Sequence, residues 1–116
     1  MSEHEINNIR VAANFLLREF ACNDGSRQVV LHRELLERLQ ALRDALGWPV
    51  IINSGYRNPD HNAAVGGTPN SYHLRGMAAD IRVPGMSTRE LAKAARQAGF
   101  RGIITYGTFV HVDVRP

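Results

Sequence analysis

Apolar residues recur along this chain with two different periods. Leu35, Leu39, Leu42 and Leu46 return at intervals of three and four, and Gly47 followed by Pro49 ends the run. That spacing lines one face of an α-helix, so a helix of about four turns is expected to start near Leu31. Pro49–Asn53 is a short apolar run between turn formers and reads as a buried strand. Ala78–Val83 reads as a second strand. Ser87 and Glu90 have capping-box spacing and open a helix expected to run through Ala98, where Gly99 stops it. Ile103–Tyr106 and Phe109–Val114 read as two further strands joined by a tight turn at Gly107 and Thr108. Together these elements predict an α+β fold, a small and mostly antiparallel sheet with flanking helices.

The remaining stretches are less regular. Residues 54–70 hold Gly55, Pro59, Gly66, Gly67 and Pro69, leaving room for at most one helical turn at His61–Val65. A connection that long in a small domain is usually functional. Near the N-terminus Ile9, Phe15, Leu16, Leu17 and Phe20 show no clean period, and Asn23–Ser26 is a turn. Residues 1–30 are therefore expected to cover a core built from residues 31–116, all in a single domain without repeats.

Composition narrows the classes. A chain of 116 residues, 44% hydrophobic, is long enough to bury one core without disulfides or a structural metal. Its one cysteine, Cys22, excludes an internal disulfide. Fourteen cations against eleven acids give a net charge of +3. The arginines are scattered, without a basic run or interleaved aromatics, so no nucleic-acid partner is expected, while a polyanionic wall surface is compatible. No apolar run approaches the roughly 20 residues of a membrane span, so no membrane insertion is expected. Acids and arginines interrupt the first twenty-odd residues where a secretory signal needs an apolar core. The expectation is a soluble chain with no signal peptide, cytoplasmic in the producing cell. Nothing in the pattern specifies an oligomeric state.

The chemistry concentrates on the last strands. Side chains alternate across a strand, so Val110, Val112 and Val114 share a core face while Phe109, His111 and Asp113 share the other. In the same way Ala79, Ile81 and Val83 oppose Ala78, Asp80 and Arg82. If the two strands lie in one sheet, Asp80 and His111 become neighbours, within reach of His73 from the preceding loop. Two imidazoles and one carboxylate form the ligand set of a catalytic zinc, which keeps a fourth position for water and lowers its pKa to about 7. The spacing alone equally allows His111 as a satisfied strand histidine and Asp80 as the partner of an arginine such as Arg82.

Longer strings are more specific. Ser71-Tyr72-His73-Leu74-Arg75-Gly76-Met77-Ala78-Ala79-Asp80 resembles the Ser-x-His-x-x-Gly-x-Ala-x-Asp signature of the zinc D-Ala-D-Ala carboxypeptidase family, which shares its fold with murein endopeptidases and the hedgehog signalling domain. Val110-His111-Val112-Asp113 is similar to the family's last ligand segment. Ser54-Gly55-Tyr56-Arg57 and His61-Asn62-Ala63-Ala64-Val65-Gly66-Gly67 are similar to the loop of its short phage- and prophage-associated members. The resemblance implies one zinc ion held by His73, Asp80 and His111, and Arg57 as the cation that holds the substrate's carboxylate or a peptide carbonyl. It implies hydrolysis of peptidoglycan stem peptides, by a D-Ala-D-Ala carboxypeptidase or a murein endopeptidase. A phage endolysin that reaches the cell wall on lysis is one form of that expectation.

One position departs from the family. Many members carry an acid three residues before the last histidine as general base, and Thr108 stands there. By elimination among Asp60, Asp80, Glu90 and Asp113, the base is expected to be Asp113, about 6–7 Å along the strand from His111. Alternatively, Asp113 orients a ligand histidine. Tyr106 is a candidate donor to the substrate's developing oxyanion, and Ser71 is a loop-ordering hydroxyl beside the substrate. Thr108 also supports a different class of function, a non-catalytic zinc-binding domain that recognises wall peptides or a protein.

Overall fold

The computed structural model describes residues 7–116. Arg10–Ala12 (β1) and Phe15–Leu16 (β2) pair as an antiparallel ribbon, and Leu17–Phe20 follows as a 3₁₀ turn. Strands this short are invisible to an alternation argument, which is why the sequence does not announce the ribbon. Its purpose is burial. Phe15 and Phe20 stand 5.9 Å apart between ring centroids and enter the same apolar cluster as Leu35, Leu39 and Leu42. Residues 1–6 of the expected N-terminal cover lie outside the described residues.

Arg33–Leu46 (α1) is the expected leucine helix. The His32 ring accepts a hydrogen bond from Glu34 N at 3.2 Å, which shortens the helix by two residues relative to a start at Leu31. Gly47, at φ 70°, adopts the left-handed conformation that closes the C-terminus. Ile51–Ser54 (β3) follows, then Pro59–Ala64 (α2), where Asn58 caps the helix and Pro59 supplies its preset first turn. That pair starts the helix earlier than the single turn expected at His61. Ala78–Arg82 (β4), Thr88–Gln97 (α3), Gly102–Thr105 (β5) and Val110–Asp113 (β6) complete the chain. Ser87 caps α3 by accepting from Glu90 N at 3.1 Å.

The four longer strands form one antiparallel sheet in the order β3-β4-β6-β5, so the described residues make an α+β fold with two small antiparallel sheets and three α-helices. On one face Ala79, Ile81, Val83, Val110, Val112 and Val114 are buried with the α1 leucines and Leu91 of α3. The opposite face is left free to carry polar groups. No helix among the described residues is long and apolar enough to cross a membrane.

A polar clamp holds the end of the sheet to the start of α1. Arg101 donates from Nη1 and Nη2 to the two Glu34 oxygens, each at 2.8 Å, and from Nη2 to Val114 O at 2.9 Å. Hydrogen bonds from Arg101 outweigh the desolvation of Glu34 and, with the Arg101 and Arg38 charges, hold its pKa at about 2 against an ordinary 4.5. A carboxylate whose pKa is lowered by folding stabilises the fold above its unfolded pKa and loses that contribution as pH falls through the folded one. Glu34→Gln is therefore expected to melt below the wild type at pH 7, with the gap closing between about pH 4.5 and 2 in thermal denaturation. A gap independent of pH would show that the charge of Glu34 is not the cause.

Candidate metal centre

Strand register sets Ser54, Asp80, His111 and Ile104 in one row across the polar face of the sheet. Asp80 and His111 are direct cross-strand partners, as alternation expects. His73 arrives from Tyr72–Arg75, a 3₁₀ turn opened by Ser71, whose Oγ accepts from His73 N at 3.2 Å. Gly76 ends that turn at φ 67°, and a Cβ there would overlap the Val30 carbonyl, so only glycine returns the chain from His73 into β4.

The three side chains converge on one oxygen. His73 Nε2 lies 3.1 Å and His111 Nδ1 3.2 Å from Asp80 Oδ1, and the three ligand atoms lie within 4.8 Å of one another. Each residue is anchored from behind. His73 Nδ1 stands 2.7 Å from Gly55 O, and a carbonyl only accepts, so Nδ1 carries the hydrogen and the Nε2 lone pair faces the cluster. His111 Nε2 meets Asp113 Oδ2 at 2.8 Å by the same logic, which leaves its Nδ1 facing inward. Arg57 Nη2 holds the other Asp80 oxygen at 3.1 Å.

Three electron-pair donors aimed at one point repel one another unless a cation lies among them. A proton can serve as that cation: burial disfavours the His111 imidazolium, yet the hydrogen bonds it donates to Asp113 and Asp80 outweigh this and push His111 up to about 8. Asp80 is desolvated, but the two histidines hold its carboxyl well below the usual range. A metal ion would take the proton's place. Two imidazole nitrogens, one carboxylate oxygen and an open side suit zinc with an exchangeable fourth position.

The open side is a cleft of about 410 Å³. Arg57 and the loop from Val65 to Thr68 form one wall; Ile104, Tyr106 and Phe109 form the other. Tyr106 stacks on Phe109 at 4.7 Å between centroids. Ser71 also borders the cleft while capping the His73 turn.

Two of the residues expected from the sequence have neighbours that bear on their roles. Asp113 does not line the cleft, although strand alternation sets it on that face. It is fully buried behind His111, with Arg115 donating from Nε at 2.7 Å, from Nη2 at 2.6 Å and from its backbone N at 3.2 Å. A carboxylate so enclosed faces His111 and Arg115 rather than the cleft, the placement that the alternative role of orienting a ligand histidine expects. Arg57 reaches the site through Asp80, with Nε on Ser54 Oγ at 3.2 Å and Nη1 on Asn62 Oδ1 at 3.5 Å, so three of its nitrogens serve the chain itself. Thr108 sits exposed in the turn between β5 and β6, away from the cleft lining.

Two residues were not singled out from sequence. Buried Asn62 donates from Nδ2 to Thr68 O at 2.8 Å and so ties the cleft wall to Arg57. Arg115 continues the alternation of His111 and Asp113, and period two would have found it.

Gly102 leaves the space that Asp113 occupies, since a Cβ there would overlap both carboxylate oxygens. Gly102→Ala is therefore expected to displace Asp113 and lower zinc affinity by about 10–100-fold, the usual effect of losing a group behind a ligand. Zinc titration against a competing chelator measures this; unchanged affinity would show that the carboxylate relaxes without moving His111.

A comparison with protein families matches residues 12–113 to peptidase M15. The chain belongs to the peptidase M15 family. This M15 chain is 42% identical over 77 residues to the zinc D-Ala-D-Ala carboxypeptidase of Streptomyces albus G, a match covering 66% of the chain and 30% of that relative. It is 35% identical over 91 residues to the peptidoglycan L,D-endopeptidase MepK of Escherichia coli K12, covering 71% of the chain and 50% of the relative. A probable MepK of Haemophilus influenzae is 35% identical over 74 residues, 58% of the chain and 40% of that protein. The chain thus spans half or less of the length of these curated relatives.

Proposed function

We propose that this M15 chain is a zinc-dependent peptidase acting on peptidoglycan stem peptides, with one zinc ion held by His73, Asp80 and His111. The observation that carries the reading is the convergence of three ligand atoms, each anchored from behind, in a family whose relatives are named for zinc and for peptidoglycan cleavage. When bound, zinc supplies Lewis acidity and a water nucleophile available near neutral pH. Arg57 keeps Asp80 presenting Oδ1 to the cluster and offers its cleft-facing edge to a peptide carbonyl beside the scissile bond. Asp113 orients His111 and keeps its hydrogen on Nε2. Tyr106, at the exposed rim, binds the peptide and is within the wall from which a hydroxyl can meet a developing oxyanion. Ser71 shapes the turn that presents His73 and borders the same peptide. An endolysin role is supported by the resemblance to short phage-associated members alone.

One observation favours the non-catalytic alternative: among the described residues Asp80 is the only carboxylate lining the cleft, so no second acid is present to take a proton. Mass spectrometry of purified peptidoglycan after incubation with zinc-loaded protein separates the two. Release of D-Ala or of split cross-links, lost with a chelator, is expected. Bound zinc with no product across several wall types would favour the binding domain.

A further inference from the structure

Arg115 is held rigidly at the cleft with part of its guanidinium unused. Its Nε and Nη2 fork onto Asp113 at 2.7 and 2.6 Å, and its Cζ lies 5.1 Å from the centroid of the Tyr72 ring. The side chain is nevertheless 42% exposed and borders the cleft. Its Nη1 has no hydrogen-bond partner among the described residues. The same Asp113 oxygen that receives Nη2 also receives His111 Nε2, so one carboxylate oxygen separates this guanidinium from the metal-site imidazole. Arg57 meets the cluster through Asp80, and Arg115 through Asp113 and His111, so a peptide lying across the cluster meets a cation behind two of the three ligands. The two carboxylates already match the two guanidiniums, and a divalent ion would then add its full positive charge. A substrate carboxylate meets no opposing acid in the cleft other than Asp80, which is committed to its histidines.

We propose that Arg115 is a specificity-determining residue whose free Nη1 edge reads a carboxylate carried by the substrate peptide away from its C-terminus. This deepens the peptidase reading and rests on it for the identity of the peptide. An arginine whose other edge is already fixed loses little side-chain freedom on binding, and a charge-assisted hydrogen bond discriminates acid from amide in a way that a packing contact does not. Arg115 stands two residues past Asp113, where β6 ends.

The test uses synthetic stem peptides in which each non-terminal carboxylate is replaced in turn by a primary amide. Hydrolysis is followed with zinc-loaded full chain, and binding with chelator-treated full chain by calorimetry. At one position the acid is expected to be preferred over the amide by about tenfold or more in kcat/KM and in affinity. Arg115→Gln is expected to collapse that ratio to near one, and Arg115→Lys to keep part of it, because charge remains while the fork is lost. The ratio within each variant is insensitive to any general weakening of the zinc site that follows from disturbing Asp113. Hydrolysis with no acid preference at any position, or a preference that survives in Arg115→Gln, overturns the proposal and leaves the peptidase reading standing. Preferential binding of the acid without hydrolysis upholds the subsite and overturns the peptidase reading. Neither binding nor hydrolysis overturns both.

Discussion

Replacing His111 by alanine is expected to reduce peptide hydrolysis to the level of chelator-treated protein and to remove stoichiometric zinc. In the proposed centre the imidazole is one of three ligands, and its loss leaves Asp80 Oδ1 facing His73 alone. Two protein ligands do not make the closed half of a catalytic zinc site. The side chain is not part of the apolar core: its strand neighbours Val110 and Val112 carry the packing, so the variant is expected to fold. Metal content by elemental analysis, activity on peptidoglycan and circular dichroism on the same sample give the three readouts needed. A folded His111→Ala protein that keeps one equivalent of zinc would remove His111 from the ligand set.

Asp113→Ala is expected to lower zinc affinity by about 10–100-fold, whereas Asp113→Asn keeps most of it. The asparagine carbonyl still accepts from His111 Nε2, so the ring orientation survives without the charge. If Asp113 were the proton acceptor, the pattern would invert: both variants would hold zinc at wild-type affinity and lose kcat. The burial of Asp113 at 0% exposure and its three bonds from Arg115 are what favour the first pattern. Competition titrations paired with kcat and KM for both variants decide between the two patterns.

Much of the sheet was legible because its physics is local. Leu35, Leu39 and Leu42 face the core at helical spacing, and Val110 and Val112 do so at strand spacing, so amphipathic periodicity identifies α1 and β6 directly. The pairing of Asp80 with His111 followed from alternation once β4 and β6 shared a sheet. The β1 and β2 ribbon was not legible, since strands of three and two residues carry no period. The placement of Asp113 was hidden for a different reason. Alternation sets it on the cleft face, but the space left at Gly102 receives it, which depends on strand pairing that no local pattern encodes, and the Arg115 fork two residues along closes over it. Arg57 was read as a substrate cation from the resemblance; that it also braces Asp80 requires knowing that β3 lies beside β4.

Zinc K-edge X-ray absorption on protein loaded with one equivalent of zinc tests the metal centre most directly. The expected spectrum contains two imidazole nitrogens and a carboxylate oxygen from the protein, with a further light-atom ligand and no sulfur. Failure to retain one equivalent through gel filtration, or a sulfur ligand in the spectrum, would contradict a centre built from His73, Asp80 and His111.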